Sequence, residues 1–140
     1  MPLKIPVPET TPPETIIEVE GVWRSFGKNS VLENITVNIP ARRTTAIIGP
    51  SGTGKSVLLK HIVGLLTPDR GSIRVFGKDI HKMSRKDLYA TRKRMGMLFQ
   101  AGALFDSMTV GANIAFPLVQ HMPELSVDEV RRRVDEKLAM

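Results

Sequence analysis

At 140 residues, with 41% hydrophobic and 24% charged residues, the chain has a globular composition and the length of about one domain. The absence of cysteine excludes a disulfide framework and a thiolate metal site. No apolar run approaches the ~18 residues of a membrane span, and the N-terminus lacks the basic-then-apolar layout of a secretory signal. The formal charge of +6 suits an anionic partner, but Arg92-Lys93-Arg94 and Arg131-Arg132-Arg133 lie in helix-like patterns. Neither is interleaved with the aromatics on which single-strand binders stack bases, so both read as solvated faces and no nucleic-acid partner is expected.

Residues 1–14, MPLKIPVPETTPPE, hold five of the ten prolines and predict an extended or disordered tail. From Ile16, IIEVEGVWRSF and NITVNIP alternate apolar with polar residues, predicting two strands with one wet face, joined through the turn GKNS. TTAIIG, ending at Gly49, is a short apolar run that predicts a strand buried on both faces. Residues 55–66, KSVLLKHIVGLL, are apolar almost all round and predict a largely buried helix closed by TPDRG.

SIRVFGKDI then predicts a small hairpin pivoting at Gly77. Ser84 with Asp87 predicts a capped helix running to about Arg94, and MGMLF, residues 95–99, a second buried strand ending at Gln100. GALFDS reads as a loop in which Asp106 is solvated or caps SMTVGANIAF. Ser126 with Glu129 predicts a capping box for a last helix that runs to Met140 without a stop signal, as expected of a piece of a longer protein. His61 reads as a packing or surface residue on its helix, and His81 and His121 lie in polar segments without metal-ligand spacing.

One stretch carries chemistry. Gly49-Pro50-Ser51-Gly52-Thr53-Gly54-Lys55-Ser56 matches the Walker A pattern, between a predicted strand and a predicted helix as its mechanism requires. Glycines let consecutive backbone N–H groups turn toward phosphate oxygens, and the positive end of the helix dipole adds to the attraction. Lys55 supplies a point charge for the β- and γ-phosphates and the Ser56 hydroxyl a ligand for Mg²⁺, which needs few protein ligands.

The order of features resembles the ATP-binding subunit of ABC transporters over about residues 16–140: strands and SFG before the cradle, TPDRGSIRVFGKDI after its helix, and MGMLFQ ending at glutamine. The resemblance implies an α/β P-loop NTPase fold of the ABC type, a mixed sheet with an antiparallel β-subdomain. It implies an ATP-binding core over residues 15–100 and an incomplete start of a helical subdomain over 101–140. By the same resemblance Phe26 stacks on adenine, and Gln100 is the Q-loop glutamine that reaches Mg²⁺ and the attacking water. GTGKSVLLKHIVGLL and LFQAGALFDSMTVGANIAFPL resemble the ATPases of bacterial lipid-trafficking and organic-solvent-tolerance systems, which work with mammalian-cell-entry-type lipid-binding proteins.

The family's LSGGQ signature, its Walker B strand with catalytic glutamate and its switch histidine lie downstream of the Q-loop and are absent from these residues. Asp106 does not replace the Walker B carboxylate, because a parallel neighbour strand needs a crossover of about a dozen residues after Gln100. The resemblance therefore implies weak nucleotide binding without appreciable turnover by this chain alone. It further implies ATP and Mg²⁺ as ligands, a second ATPase subunit in a head-to-tail dimer, a transmembrane permease, and a cytoplasmic position at the inner face of the cell membrane. A P-loop small-molecule kinase is the alternative from another class, but such folds place the cradle near the start. A soluble non-transport ABC ATPase is the other, against which GALFDSMTVGANIAFPL, in the region that faces the permease, argues for a transporter.

Overall fold

Alternation is what builds the first half of the molecule. The computed structural model describes residues 14–99 and 102–140; the proline-rich segment up to Pro13 lies outside the described residues, as do Gln100 and Ala101. Strands β1 (Thr15–Phe26) and β2 (Asn29–Pro40) form a long antiparallel hairpin, with β3 (Arg70–Val75) on the other side of β1 and the short β4 (Lys78–Asp79) beyond it. The sheet order is β2-β1-β3-β4, antiparallel at every pairing. Apolar positions of one face gather into a core of Val19, Val22, Leu32, Ile73, Val75 and Ile80, completed by Leu58 and Ile62 of the first helix. On the wet face Arg74 bridges Glu18 at 3.2 Å and Glu20 at 3.4 Å across β1 and β3.

The pattern shifts phase between Val19 and Val22, where both are buried, because a register shift at Gly21 inserts extra backbone. Gly21 has φ +56°, and its N–H donates to Thr36 Oγ1 at 3.0 Å. Opposite it, Gly71 (φ +89°) comes so close that a Cβ there would lie 2.4 Å from the Gly21 carbonyl oxygen. The predicted pivot of the second hairpin is observed as Phe76-Gly77, between β3 and β4.

Helix α1 (Lys55–Ile62) is shorter than its apolar run predicts. Gly64, at φ +71°, ends it in a Schellman turn: Gly64 N–H donates to His61 O at 2.9 Å and Leu65 N–H to Lys60 O at 2.8 Å. The run LL therefore leaves the helix, and Leu59 and Leu65 are exposed, so the predicted largely buried helix is corrected to one buried face of Leu58, His61 and Ile62. The carbonyls of the turn that follows α1 find a partner in Arg92, whose Nε donates to Val63 O at 2.9 Å and Nη2 to Gly64 O at 2.6 Å. That side chain ends helix α2 (Arg85–Arg92), which Ser84 caps as predicted by accepting from Asp87 N–H.

Two predicted strands are not formed. Residues 44–49 and 95–99 have no regular secondary structure and pair with no strand among the described residues, and Ile48 is 93% and Leu98 89% exposed. An apolar run becomes a buried strand only where a neighbour supplies ladder hydrogen bonds, and none of the described residues does so here.

The described residues divide into two compact units between Gly96 and Met97. The second holds α3 (Val110–His121) and α4 (Val127–Leu138). Thr109, not Asp106, caps α3 by accepting from Ala112 N–H at 3.2 Å; Asp106 is exposed in the preceding loop. Ser126 caps α4 through Glu129 N–H, but the Glu129 carboxylate turns to Arg132 and Arg133, so only half of the predicted capping box is made. Helix α4 ends at Leu138 with Ala139 as its cap, short of the predicted run to Met140.

Candidate phosphate-binding site

The segment between β2 and α1 is shaped by two left-handed glycines. Gly52 has φ +83° and Gly54, the N-cap of α1, φ +91°. Gly54 is also the point where the loop is pressed against the β-hairpin: a Cβ there would sit 2.8 Å from Val31 O and 3.0 Å from Leu32 Cδ2. Only glycine satisfies both the dihedral and the approach. Thr53 Oγ1 donates to Pro50 O at 2.9 Å, folding residues 50–53 into a turn, and a Cβ at Gly49 would lie 3.1 Å from that hydroxyl.

Lys55 closes the loop. Its Nζ donates to Gly49 O at 2.7 Å and to Pro50 O at 2.6 Å. An ammonium has three donors, so one remains for an anion brought to the loop. Ser56 is exposed at the first turn of α1.

The four helices of the described residues differ at their N-termini in a way that bears on function. Ser84, Thr109 and Ser126 each cap their helix with a side-chain oxygen, whereas α1 begins at Gly54 with no side-chain cap and no acidic residue in its first turn. Its first N–H groups and its positive dipole end are thus left to an external anion, with the Lys55 ammonium beside them. A triphosphate chain supplies what this end lacks. Among the described residues no group of three His, Asp or Glu side chains could hold a metal ion. The donors present fit a cation carried mainly by phosphate oxygens and water, with the Ser56 hydroxyl as its protein ligand, which is the coordination Mg²⁺ tolerates.

An open recess of about 550 Å³ is lined by the loop residues Gly49, Pro50, Thr53, Gly54 and Lys55 together with Leu32, Ile35, Val37, Ile47, Ile48 and Leu58. The apolar part of its wall comes from β2, from residues 46–48 and from Leu58 of α1, and the phosphate loop itself forms much of the rest.

Phe26, at the end of β1, is 44% exposed, and the Arg24 guanidinium lies 4.7 Å from its ring centroid. Phe26 pairs with Asn29 and Arg24 with Leu32, so the hairpin end that carries the aromatic is the one packed on Gly54. Gln100 lies outside the described residues. The sequence reading missed that Arg24 and Asp69 meet, since 45 positions separate them and neither belongs to a motif. Of the packing and surface readings of His61, the structure bears out packing: the ring is fully buried, its Nδ1 2.7 Å from Val57 O. In the second unit, an apolar groove of about 350 Å³ runs along Val119, Met122, Leu125, Val127 and Val130.

The chain is similar in sequence and fold to known proteins. The ABC transporter family profile matches residues 32–140. The chain is 50% identical over 124 residues to the "Probable ribonucleotide transport ATP-binding protein mkl" of Mycobacterium tuberculosis, an alignment covering 89% of this chain and 34% of that protein. It is 45% identical over 106 residues to the intermembrane phospholipid transport system ATP-binding protein MlaF of Escherichia coli, covering 76% of this chain and 39% of that one. Among solved structures, the dimeric post-hydrolysis state of the ATP-binding cassette MJ0796 bound to ADP and Pi superposes with a TM-score of 0.75 at 27% identity, over 86% of this chain and 54% of that one. The chain thus spans between a third and two-fifths of the length of these curated relatives. With its profile match over most of its length and an ABC-type ATPase fold, the chain belongs to the ABC transporter family.

Proposed function

We propose that this chain is the ATP-binding part of an ABC transporter ATPase that, in the complete protein, couples ATP binding and hydrolysis to lipid movement. The uncapped start of α1, with Gly54 pressed on the hairpin and Lys55 over the loop, carries the nucleotide half of this reading. Gly49, Pro50, Ser51, Gly52, Thr53, Gly54, Lys55 and Ser56 hold the phosphates of ATP, Ser56 and Gln100 serve Mg²⁺, and Phe26 stacks on the adenine. The relative MJ0796, whose structure holds ADP and Pi in a dimer, supports nucleotide binding and a second ATPase subunit as partner.

Lipid as cargo is supported by MlaF, named for intermembrane phospholipid transport; mkl is named instead for ribonucleotide transport. The cargo itself passes through other subunits, a membrane permease and a mammalian-cell-entry-type lipid-binding protein, so nothing in the cradle selects it. Among the described residues no helix is long and apolar enough to cross a membrane, which fits a peripheral place on the cytoplasmic face, held by the permease. The exposed apolar groove between α3 and α4 supports such a docking.

Calorimetry of the chain with ATP and Mg²⁺ tests the nucleotide half. Magnesium-dependent binding abolished by Lys55→Ala is expected; no magnesium-dependent heat from the folded chain overturns it. Phospholipid transfer between vesicles by the complete transporter, lost with the same substitution, tests the cargo.

A further inference from the structure

Arg24 is an arginine with fixed partners. Its Nη1 donates to Asp69 Oδ1 at 2.8 Å and to Thr67 O at 3.1 Å, in the segment that follows α1. The other oxygen of the same carboxylate, Oδ2, accepts from Ser25 N–H at 2.7 Å, and Asp69 N–H donates to Trp23 O at 2.9 Å. Asp69 thus grips three consecutive residues of β1, one through its main chain and two through its carboxylate. The held guanidinium plane lies against Phe26, 4.7 Å from the ring centroid, while the ring keeps 44% of its surface exposed.

We propose that Arg24 and Asp69 are positioning residues for a nucleotide base: Asp69 fixes the guanidinium, and the guanidinium backs Phe26 so that the ring's exposed surface is presented as a rigid stacking plate. The inference deepens the nucleotide reading above and rests on it. An unsupported phenylalanine at a strand end samples several rotamers, and ordering it on binding costs conformational entropy. A guanidinium on the ring removes that freedom beforehand through cation–π attraction. The plate is also tied to the cradle at two points. Thr67 and Asp69 follow the helix that the phosphate loop opens, and Arg24 pairs across the hairpin with Leu32, which packs on Gly54. The aromatic therefore has a fixed relation to the loop.

The test separates base from phosphate. Binding of the 140-residue chain to magnesium-ATP and to magnesium-tripolyphosphate, which has no base, is measured by calorimetry for wild type, Arg24→Met, Arg24→Lys and Asp69→Asn. Wild type is expected to favour ATP by about 10-fold, the range of one stacked base. Arg24→Met and Asp69→Asn are expected to bring the two ligands close to parity while leaving tripolyphosphate affinity unchanged, and Arg24→Lys, which keeps the ion pair, to recover part of the preference. A merely structural role would weaken both ligands in proportion, and that result overturns the proposal, as does an unchanged ratio in Arg24→Met. Should Arg24→Met not fold, Arg24→Lys decides by the same ratio. Equal wild-type affinity for the two ligands sinks the stacking plate and leaves the cradle standing. No wild-type binding of either ligand removes the cradle and the plate with it.

Discussion

His61 and His81 meet edge to face inside the first unit, with ring centroids 6.4 Å apart and an interplanar angle of 69°. His61 Nδ1 faces the Val57 carbonyl, which can only accept, so the proton sits on Nδ1. Both Nε2 atoms are buried and lack a hydrogen-bond partner among the described residues. The His81 ring, partly buried in this contact, packs well while neutral and poorly when charged.

A dependence of stability on pH follows. Burial holds the His81 pKa below its ordinary 6.5, and the nearby His61 ring acts in the same direction, against the Asp79 carboxylate that raises it. That carboxylate is partly engaged, accepting from His81 N–H at 3.1 Å and bridging Lys82 at 3.3 Å. Because the folded pKa is depressed, the unfolded chain binds a proton first as pH falls. Stability is full above the unfolded value of 6.5 and is lost progressively as pH drops below it. Urea midpoints measured between pH 8 and pH 5 are expected to fall on the acid side for wild type and to fall less for His81→Leu. Parallel curves for the two proteins would contradict this.

The glycines make a graded prediction. At Gly71 a Cβ would meet the carbonyl oxygens of Gly21 at 2.4 Å and Glu20 at 2.5 Å, both of them backbone, with φ at +89°. Neither can move without opening the β1–β3 pairing. Gly77 has a similar dihedral, φ +74°, but nothing within 4 Å of the added atom. Gly77→Ala is therefore expected to cost only the left-handed penalty of about 1–2 kcal/mol. Gly71→Ala is expected to cost on the order of 3 kcal/mol or more, since strain at a special dihedral and overpacking add. Chemical denaturation of the two variants side by side is the measurement, and equal losses would rule out the close approach at Gly71.

What was legible in the sequence was what is decided locally. The β1–β2 hairpin shows in the alternation of IIEVEGVWRSF and NITVNIP, and Ser84 and Ser126 announce their helices because a cap is satisfied within three residues. The phosphate loop shows for the same reason: its glycines, lysine and serine act on their own backbone. Gly64 was legible in principle, as a glycine near the end of the helical run, but the surrounding apolar residues favour continuing the helix. The runs 44–49 and 95–99 were misread because apolar content fixes a wish for burial and not the partner that provides it. Arg24 with Asp69, and His61 with His81, meet only through the tertiary fold, and no spacing rule anticipates them.

Glu129 gives an acid-side prediction confined to the second unit. Hydrogen bonds from Arg132 and then Arg133 hold its carboxyl at about 2, well below the ordinary value of 4.5. The N–O distances are 2.7 Å to Arg132 Nη2 and 2.8 Å to Arg133 Nε, and Arg132 also bonds Glu136. With a depressed folded pKa, the contribution is present above 4.5 and is lost as pH falls toward 2. The group is at the surface, so salt should weaken the effect. A carbon-detected NMR titration is expected to show Glu129 ionised at pH 4 at low ionic strength, with its midpoint moving upward in 1 M salt. A midpoint near the ordinary glutamate value at low salt would show that the arginines do not hold it.

Asn113 organises the entry to α3. Its Oδ1 accepts from Phe105 N–H at 2.8 Å, and its Nδ2 lies 3.1 Å from Phe105 O, 3.3 Å from Met108 O and 3.1 Å from Thr109 O. One amide thereby ties the loop 105–109 to the first turn of the helix, and the Phe105 ring packs on Phe116 at 4.8 Å. Asn113→Ala removes the side-chain hydrogen bonds but leaves the ring packing, and at about 1 kcal/mol net for a typical hydrogen bond the loss is expected to be roughly 1–2 kcal/mol, because exposed carbonyls regain water. Asn113→Asp keeps the acceptor for Phe105 N–H but replaces the donor with a second acceptor facing three carbonyls, so it should be at least as damaging near neutral pH. Amide exchange at Phe105 distinguishes the two. It is expected to accelerate strongly in the alanine variant and to stay slower in the aspartate variant, where the acceptor survives. Unchanged exchange at Phe105 in Asn113→Ala would mean that Phe105–Phe116 packing alone holds the loop.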